Sequence, residues 1–594
     1  MTQKLINSWS EIKWSFVNET VKSYRSKIYL AKKSGNSILL RKTQRDTLTS
    51  KCVLMWAIRR VTSINQGKNT PGLDRKKYTT NSLRWKLYEE ISDKGIYAFQ
   101  PTPVKRIYIP KPNGKLRPLG IPTIIDRVIQ CVALIALEPE WEYTFEHGSY
   151  GFRPARSCHD AMIRTYKTLS KKKKTFVLEG DIKGCFDNIS HDALIGRLED
   201  FPATDLVRKW LKAGYMTEGE YFESTLGTPQ GGIISPLLSN IALHGMEKAL
   251  GIVYHKSGYV RSECPFTLVR YADDFLVLSN SEERAQESKI ILSEYLSGVG
   301  LSLSDEKTLI SDARKGFDFL GWNFRICQSR YNRRYRGNIN AKEVTLVRPS
   351  TKSITKVTEK LKTIWKSAVG KPVPALIRNL NSLITGWSNY HRYVNSSRVF
   401  RFLDNLCFKQ SVRFAKRNHP SKSWKWIREK YYTSESGDRW VFHDMVTGST
   451  LTKFRSFTIL DFIPIKYGMI PDDPESASYF AERKANRLKR NFGNRKSMIK
   501  IARSQAYICP ECGEPLYPDE RYVTPIHIHH LIPKSVGGSD KYDNLILLHD
   551  YCHRDVHTKK TSKEKLIEQL LVHLKTADIP EKDRKSVTWK LSGH

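Results

Sequence analysis

The sequence lacks any stretch that approaches the roughly 20 consecutive apolar residues of a membrane-spanning helix, so we expect no transmembrane segment. Its start, MTQKLINSWSEIKWSF, lacks the apolar core and small-residue cleavage site of a secretory signal, which favours a cytoplasmic protein. It also lacks an internal repeat. A chain of 594 residues is too long for one hydrophobic core, so about three to five domains are expected.

Cysteines are few and divide into two groups. Three of the ten, Cys509, Cys512 and Cys552, lie close together among histidines, which indicates a metal site. The others are scattered singly and predict buried free thiols in a reducing compartment rather than a disulfide framework. These scattered cysteines are Cys52, Cys131, Cys158, Cys185, Cys264, Cys327 and Cys407.

Acidic residues are scarce relative to basic ones. The chain has 99 Lys and Arg against 60 Asp and Glu, which gives a net charge of +39 and a pI of about 9.7. Such an excess repels itself in a folded protein and favours a polyanionic partner over a merely soluble surface. With 40% hydrophobic and 11% aromatic residues, the chain has enough apolar sequence for packed domains.

The residue pattern changes along the chain. Residues 1–60 look helical and basic, and the turn-rich sequence NQGKNTPGLD follows at 65–74. Residues 100–325 mix β-type and helical runs, which predicts an α/β region. Residues 345–430 have apolar positions at helical spacing, whereas 430–505 have little periodicity and end in a dense basic run.

Two adjacent acids, Asp273 and Asp274, interrupt the apolar sequence LVRYADDFLVL. The flanks favour strands, so the break predicts a hairpin tip, although Asp is also common in solvated turns. Earlier in the chain, FVLEGDIKGCFDNISH ends an apolar strand at Asp181. Nucleotidyl transfer by two Mg²⁺ ions needs two or three carboxylates fixed about cations roughly 3.5–4 Å apart. Carboxylate oxygens are ligands that Mg²⁺ prefers, so the three acids predict a magnesium site.

In their order along the chain, the motifs resemble those of the reverse transcriptases of group II introns, the intron-encoded maturase family of bacteria and organelles. NQGKNTPGLD resembles the N-terminal block of these enzymes, and LNSLITGWSNYH (380–391) resembles their helical thumb, or maturase X domain. The other blocks that carry the resemblance are IPKPNGKLRPLGIP (109–122), YGFRPARS (150–157), DIKGCFDNISH (181–191), GTPQGGIISPLLSNIAL (227–243), RYADDFLVL (270–278), GLSLSDEKT (300–308) and FDFLGWNF (317–324).

The resemblance implies the residues of a polymerase site. Asp181 and Asp273 would be the principal magnesium ligands, with Asp274 as the third acid. Phe186 would lie under the sugar of the incoming nucleotide and exclude a 2′-hydroxyl, which favours dNTPs. The other nucleotide-binding residues would be Lys111 and Arg117 at the triphosphate, Gln230 beside the pocket, and Lys307 as a proton donor to the leaving pyrophosphate, unless Lys307 is simply solvated.

Aromatic and basic residues of the helical region are candidates for stacking on RNA or gripping it. Trp387 and Tyr390 are alternatively core residues of a helix pair. The basic run from Arg483 to Arg503 has the cation density for phosphate binding, and by position it would be the DNA-binding segment. The stacking candidates are Trp387, Tyr390, His391 and Tyr393, beside Arg392 and Arg398.

The C-terminal sequences CPEC (509–512) and HIHHLIPKSVGGSDKYDNLILLHDYCHRDVH (527–557) resemble an HNH nuclease with a ββα-metal fold. The spacing CxxC…HxxC indicates a tetrahedral structural Zn²⁺ site formed by Cys509, Cys512, His549 and Cys552.

Further histidines of this module imply a second, catalytic metal site. His553 and His557, four apart on a predicted helix, would face the same way. The resemblance implies that they hold a divalent ion such as Mg²⁺ together with His529. His530 would be the base that activates water, and Asn544 would orient it. In the two-metal scheme, His527 has no role. Alternatively, the module is a single structural zinc finger with spare histidines.

The implied fold class is multidomain α/β, a right-hand polymerase with an α-helical thumb and a small HNH domain. The implied protein binds its intron RNA, assists splicing, copies the intron with dNTPs and cuts one strand of target DNA. It would act in a bacterial cytoplasm, associated with the nucleoid when on DNA, and an organellar origin stays open. The implied segments are an N-terminal helical extension (1–60), fingers and palm (61–335), a thumb or X domain (345–420), a DNA-binding region (421–504) and an HNH domain (505–594).

Two other functions fit part of this sequence. Another class of bacterial reverse transcriptase is the first, and the X-like sequence LITGWSNYH and the attached HNH domain argue against it. A splicing-only RNA-binding maturase with a decayed polymerase is the second, and the intact Asp181, Asp273 and Asp274 argue against that.

Overall fold

The structure, a computed structural model, describes residues 7–576 apart from 111–113, 115, 329–342, 436, 492–495, 517–525 and 560. None of the helices in this part of the chain combines the length and the apolarity needed to cross a membrane. The predicted triphosphate ligand Lys111 lies outside the described residues.

Four helices form the N-terminal layer. The second and third are separated by Ser50, whose hydroxyl accepts a hydrogen bond from the Val53 amide and so caps the start of the third helix. The third helix passes directly into a π-helical turn, Arg60–Ile64. The four helices are α1 (Trp14–Lys33), α2 (Ser37–Thr49), α3 (Lys51–Arg59) and α4 (Asn81–Lys94).

The next region alternates strands and helices, as its sequence predicts. In chain order its elements are β1 (Val104–Pro110), β2 (Leu116–Ile121), α5 (Ile124–Thr144), α6 (Cys158–Ser170), β3 (Phe176–Asp181), α7 (Cys185–Asn188), α8 (His191–Gly196), α9 (Thr204–Lys212), β4 (Tyr215–Thr217), β5 (Glu220–Phe222), α10 (Ser235–Ala242), α11 (Met246–Ala249), β6 (Thr267–Tyr271), β7 (Asp274–Ser279), α12 (Glu282–Ser297), β8 (Leu309–Asp312), β9 (Phe317–Phe319), β10 (Trp322–Gln328) and β11 (Glu343–Pro349).

A four-stranded sheet of order β6-β7-β3-β8 lies at the centre of this region, and all its pairs are antiparallel. Helices cover both faces, so its strands are apolar on both sides. On β3, Val177 joins the core cluster that contains Met162 of α6, whereas Leu178 joins the one that contains Leu292 of α12. This burial fixes the register that brings the acidic strand ends together.

Helix α5 is buried along most of its length and packs against α1, α2 and α3. Every residue from Ile129 to Pro139 is buried, which explains why this stretch is apolar on nearly every side, with only Gln130 and Glu138 polar. The N-terminal layer therefore shares one core with the α/β region. A second sheet, of order β2-β1-β4-β5, lies beyond the start of α5, and β11-β10-β9 form a third.

The C-terminal half begins with helices and ends with a small strand–strand–helix unit. Sequence periodicity failed to reveal the hairpin and the two helices between residues 430 and 505. The elements are α13 (Thr351–Ser367), α14 (Val373–His391), α15 (Ser397–Asn418), α16 (Trp424–Tyr431), β12 (Tyr432–Glu435), β13 (Asp438–Phe442), α17 (Ala477–Asn491), α18 (Lys496–Ser504), β14 (Ile526–His530), β15 (Leu545–His549), α19 (Asp550–Lys559) and α20 (Lys563–Thr576).

Candidate active sites and metal centre

The predicted hairpin tip is present, and it brings the three acids together. Strands β6 and β7 pair antiparallel with Tyr271 opposite Asp274, so Ala272 and Asp273 form the tip. In the neighbouring pair, Asp274 lies opposite Asp181 of β3. Ala272 has a φ of 59°, a left-handed conformation that lets the chain reverse within two residues. Asp181, Asp273 and Asp274 therefore lie at one end of one sheet.

A buried network of hydrogen bonds around Arg270 supports the tip, and the sequence did not predict it. The Arg270 guanidinium donates to the Ala272 carbonyl (3.2 Å), the Asn240 side chain (3.0 Å) and the Ser149 hydroxyl (2.7 Å). Asn240 in turn donates to the Gly151 carbonyl at 2.8 Å. Arg270 is 0% exposed. An arginine inside the apolar run LVRY was the available signal, because a buried charge requires partners.

Electrostatics at the tip favour a bound cation. The pKa of Asp274 is raised to about 6, because its carboxylate is partly removed from water and lies near the negative charges of Asp273 and Asp181. Lys307 contacts the acid of the neighbouring strand, with its Nζ 2.7 Å from Asp181 Oδ2. Arg117, which is exposed on β2, opposes the rise in the pKa of Asp274. The site thus has three acids and two nearby cations, a donor set suited to Mg²⁺ and phosphate.

The predicted nucleotide-binding residues Phe186 and Gln230 line one cavity of about 270 Å³. Phe186 lies on α7, which begins after Gly184 in a left-handed conformation. Its ring packs edge-on against Phe152 at 6.2 Å. Gln230 donates to the carboxylate of Asp187 at 3.3 Å. The structure thus brings these two residues together in one cavity.

Two of the aromatic candidates for RNA stacking are packed against other protein groups. The Tyr390 ring stacks on Trp322 with 4.5 Å between centroids, and its hydroxyl donates to the Leu320 carbonyl. The indole of Trp387 donates to Ser353 and packs against the helical core. Trp387 thus packs in the helical core, whereas Tyr390 packs against the sheet that contains Trp322 rather than in a helix pair. His391 and Arg392 are also buried, Tyr393 is half-buried, and Arg398 is exposed.

The described cations of the basic run between Arg483 and Arg503 differ in their exposure to solvent. Arg483 points inward, donating to the Ile463 carbonyl and lying 3.8 Å from the buried Asp160. Helix α18 buries Ile501 in the main core, so only its opposite face reaches solvent. Arg503 lies on that exposed face. Among the cations of this run whose side chains the structure describes, Arg483 is thus held by protein groups, whereas Lys500 and Arg503 are exposed.

In the C-terminal unit, Cys509, Cys512, His549 and Cys552 converge with their ligand atoms all within 4.8 Å of one another. All four residues are 0% exposed. His549 Nε2 lies 2.9 Å from the Pro515 carbonyl, which leaves Nδ1, 3.5 Å from Cys512 Sγ, to face the cysteines. A tetrahedral zinc ion with Zn–S bonds of about 2.3 Å sets sulfur atoms about 3.8 Å apart. The four residues thus fit such an ion with little movement.

A second group of possible metal ligands contains His529 of β14 with His553 and His557 of α19. The Nε2 atoms of His553 and His557 are 3.2 Å apart. Burial, together with the neighbouring histidines, lowers the pKa of His529 to about 4. A neutral imidazole is the form that binds a metal, so the environment of His529 favours ligation at neutral pH.

His530, the predicted base, lies beside this group with its Nε2 2.8 Å from Asp540 Oδ1. Asp540 was not recognised in the sequence. The side-chain hydrogen bonds of Asn544 go to backbone groups and not to the His530 ring. Asn544 holds the following loop instead, because its amide exchanges two hydrogen bonds with the Ile532 backbone and donates a third to the Ser539 carbonyl. The Asn544 carbonyl also accepts a hydrogen bond from the amide of Leu531, next to His530, and the orienting role of Asn544 stays a prediction.

His527, which had no place in the two-metal scheme, packs against one of the possible ligands. Its ring stacks on His553 at 5.2 Å, and its Nε2 lies 3.2 Å from Asp550. It shares a strand face with His529, since residues two apart on a strand point the same way.

Four protein-family models match the chain in consecutive order. The N-terminal domain of reverse transcriptase matches residues 9–91 and the reverse transcriptase (RNA-dependent DNA polymerase) model matches 109–324. The group II intron maturase-specific domain matches 354–432, and the HNH endonuclease model matches 509–559.

Curated relatives agree with these models. Group II intron-encoded protein LtrA of Lactococcus lactis subsp. cremoris is 35% identical over 45% of this chain and 54% of the relative. Protein YkfC of Escherichia coli (strain K12) is 36% identical over 46% of this chain and 80% of the relative. An uncharacterised 91 kDa protein in the cob intron of Schizosaccharomyces pombe is 29% identical over 64% of this chain and 53% of the relative. The chain thus spans about half the length of the first of these relatives.

Among solved structures, telomerase from Candida albicans aligns at 15% identity over 56% of this chain and 61% of that chain, with a TM-score of 0.30 that supports no argument about the fold. The family models and the similarity to the bacterial relatives together show that the chain belongs to the group II intron-encoded proteins, the reverse transcriptase and maturase family with a C-terminal HNH endonuclease domain.

Proposed function

We propose that this protein is a group II intron reverse transcriptase and maturase that also cuts the second strand of its DNA target. The convergence of Asp181, Asp273 and Asp274 at the end of one sheet carries the polymerase part of the proposal. In this assignment the sheet β6-β7-β3-β8 is the palm, β2-β1-β4-β5 belongs to the fingers, and α13 to α15 form the thumb. The substrates are dNTPs, intron RNA as template, and a DNA 3′ end as primer.

The three carboxylates hold Mg²⁺ in this scheme. When bound there, the cations lower the pKa of the primer 3′-hydroxyl and stabilise the in-line transition state. Phe186 forms the floor of the cavity beside the acids and excludes a ribose 2′-hydroxyl. Arg117 and Lys307 face the triphosphate, and Lys307 leaves Asp181 to protonate the departing pyrophosphate. Arg270 positions Asp273 through the Ala272 carbonyl.

Second-strand cleavage is assigned to the C-terminal unit, read as a ββα-metal fold of β14, β15 and α19. His529, His553 and His557 hold a divalent ion that polarises the scissile phosphate. His530 takes the proton of the attacking water. An Nε2–H donated to Asp540 leaves Nδ1 as the proton acceptor, and the carboxylate stabilises the imidazolium that forms. The structural Zn²⁺ at the cysteines holds the strands and the helix together.

Intron RNA and target DNA are the proposed polyanionic partners of a chain with net charge +39. RNA binding is spread over many cations of the thumb and the N-terminal layer, so no single carboxylate of the palm is needed for it. This separation distinguishes the proposal from a splicing-only maturase, which would not need the palm acids at all.

Replacing Asp273 with Ala tests the proposal. Asp273→Ala should abolish primer extension on an RNA template, because a magnesium ligand is lost, and should leave intron splicing near the wild-type rate. Asp205→Ala is the matched control, since Asp205 is 82% exposed on α9 away from the acids, and it should leave both activities unchanged. Normal extension by Asp273→Ala would refute the palm assignment, and equal loss of both activities would indicate a folding defect.

A further inference from the structure

Arg59, near the N-terminus, contacts the Cys/His cluster close to the other end of the described chain. The side chain is 4% exposed, and its Nη2 lies 3.5 Å from Cys552 Sγ. The guanidinium is held between two rings, with its centre 4.2 Å from the Trp14 ring and 4.6 Å from the Tyr551 ring. Such a cation cannot reach water, so its favourable partners must be within the protein.

A second contact joins the same two parts of the chain. The Asn18 side chain on α1 donates to the Cys512 carbonyl at 3.1 Å. Two of the four cluster residues are therefore touched by the N-terminal layer, one at its sulfur and one at its backbone. Both contacts span more than 490 residues of sequence.

The charge of the proposed zinc site explains why a cation belongs there. Three thiolates and one neutral imidazole around Zn²⁺ carry a net charge of −1, and all four ligands are buried. Hydrogen bonds from neighbouring groups stabilise ligand thiolates and tune metal affinity. A guanidinium at hydrogen-bonding distance from Cys552 supplies both a donor and the compensating charge.

We propose that Arg59 is an outer-sphere partner of the zinc thiolates and that this contact docks the nuclease unit on the N-terminal helices when zinc is bound. The inference rests on the zinc site of the proposed function and goes beyond it, because it assigns the metal a role between domains. Zinc strengthens the docking by fixing the thiolate charge, and docking slows zinc loss by covering the site.

The segment before the nuclease unit is fastened to the same layer. Arg25 of α1 is 2.7 Å from Asp472, and Lys33 is 2.9 Å from Glu475. The segment just before α17 is thus bound to α1 by ion pairs, and the metal cluster that follows contacts α1 and α3. Two anchors on one layer hold the nuclease histidines at a set separation from the palm acids, as cutting and copying of one DNA target require.

Full-length Arg59→Gln, Arg59→Lys and Arg45→Gln proteins test the inference. Arg45 is an exposed arginine of α2 and serves as the control. Bound zinc is counted by atomic emission, and its transfer to an excess of a chromogenic chelator is timed. Arg59→Gln should release zinc about 10–100 times faster than wild type, the usual cost of losing an outer-shell partner. The rate of zinc release from Arg59→Lys should lie between those of wild type and Arg59→Gln, and Arg45→Gln should release zinc at the wild-type rate. Primer extension should be unchanged in all three variants.

The outcomes separate the inference from the function beneath it. A wild-type protein without zinc would overturn the zinc site itself. Zinc-loaded wild type with Arg59→Gln releasing the metal at the same rate would overturn only the role of Arg59. Asp555 of α19 also interacts electrostatically with the Arg59 guanidinium. If Asp555→Asn reproduced the fast release of zinc while Arg59 still contacted Cys552, Asp555 rather than the cysteine sulfur would be the partner of Arg59, and the proposal would be wrong.

A measurement on the wild-type chain covers the case in which Arg59→Gln fails to fold. Zinc is stripped with the chelator, and amide hydrogen exchange is followed in α1 and in α12, which lies on the central sheet. Removal of zinc should speed exchange around Trp14 and Asn18 at least tenfold and leave α12 unchanged. Unchanged exchange in α1 would show that zinc does not control docking.

Discussion

Gly151 tests how closely the acidic tip must be held. A Cβ added at Gly151 would lie 2.3 Å from the Ala272 amide nitrogen and 2.8 Å from the Tyr271 carbonyl carbon. Both are backbone atoms, so no side-chain rotation relieves the clash. Ordinary contact begins near 3.4 Å, so Gly151→Ala must push the tip away by about 1 Å, and a misplacement of that size costs about 100-fold in rate.

The expected result is therefore a roughly 100-fold fall in the single-turnover rate of primer extension, with little change in the affinity for template and primer. Overpacking should also lower the free energy of unfolding by about 1–3 kcal/mol. Gly196→Ala is the control, because nothing lies within 4 Å of its added Cβ. If Gly151→Ala extended primers within threefold of wild type, with magnesium dependence unaltered, the claim that Gly151 fixes the tip would be refuted.

Three further predictions concern protons, phosphates and metals. Because the pKa of Asp274 is raised to about 6, protons compete with Mg²⁺ below that pH, and calorimetry should show the palm's apparent affinity for Mg²⁺ falling about tenfold per pH unit below 6 yet flat above 7. Neutralising Lys500 and Arg503 should reduce the log–log salt slope of DNA binding by about two units, and an unchanged slope would exclude them as phosphate contacts. His530→Ala should stop second-strand cleavage and keep its zinc, whereas Cys512→Ser should lose the zinc. Zinc loss from His530→Ala would mean that ligand and base were confused.

The parts of the site that depend on local sequence could be predicted. A strand–turn–strand pattern around Asp273 and Asp274 has one simple solution, because two apolar strands joined by so short a break must form a hairpin. The Cys and His spacing of the C-terminal unit is equally local for Cys509 and Cys512, since two ligands on one tight turn face the same ion. In both cases the chemistry lies within a few residues of sequence.

The supporting contacts could not be predicted, because they join residues distant in sequence. Arg270 and Asn240 meet only when β6 and α10 pack together, so the arginine in LVRY indicates a buried charge but does not identify its partner. Asn18 and Arg59 meet the cysteines across almost the whole chain. For the aromatics Trp387 and Tyr390, the sequence leaves both RNA stacking and core packing open. A ring that stacks on RNA and a ring that stacks on Trp322 have the same helical spacing, and only packing distinguishes them.

The buried arginines refine the argument from net charge. Arg59, Arg153, Arg156 and Arg270 are each at most 9% exposed and are held by a cysteine sulfur, carboxylates or carbonyl groups of the protein. None of the four can release counterions from a phosphate backbone, so the count of 99 basic residues overstates the nucleic-acid surface. Two of them, Arg153 and Arg156, pair with the buried Glu142, and the buried Asp160 also interacts electrostatically with Arg156. The excess that remains is still large, because the other 95 basic residues outnumber the 60 acids of the chain. Net charge thus indicates a polyanionic partner, whereas only burial tells which cations are free to bind it.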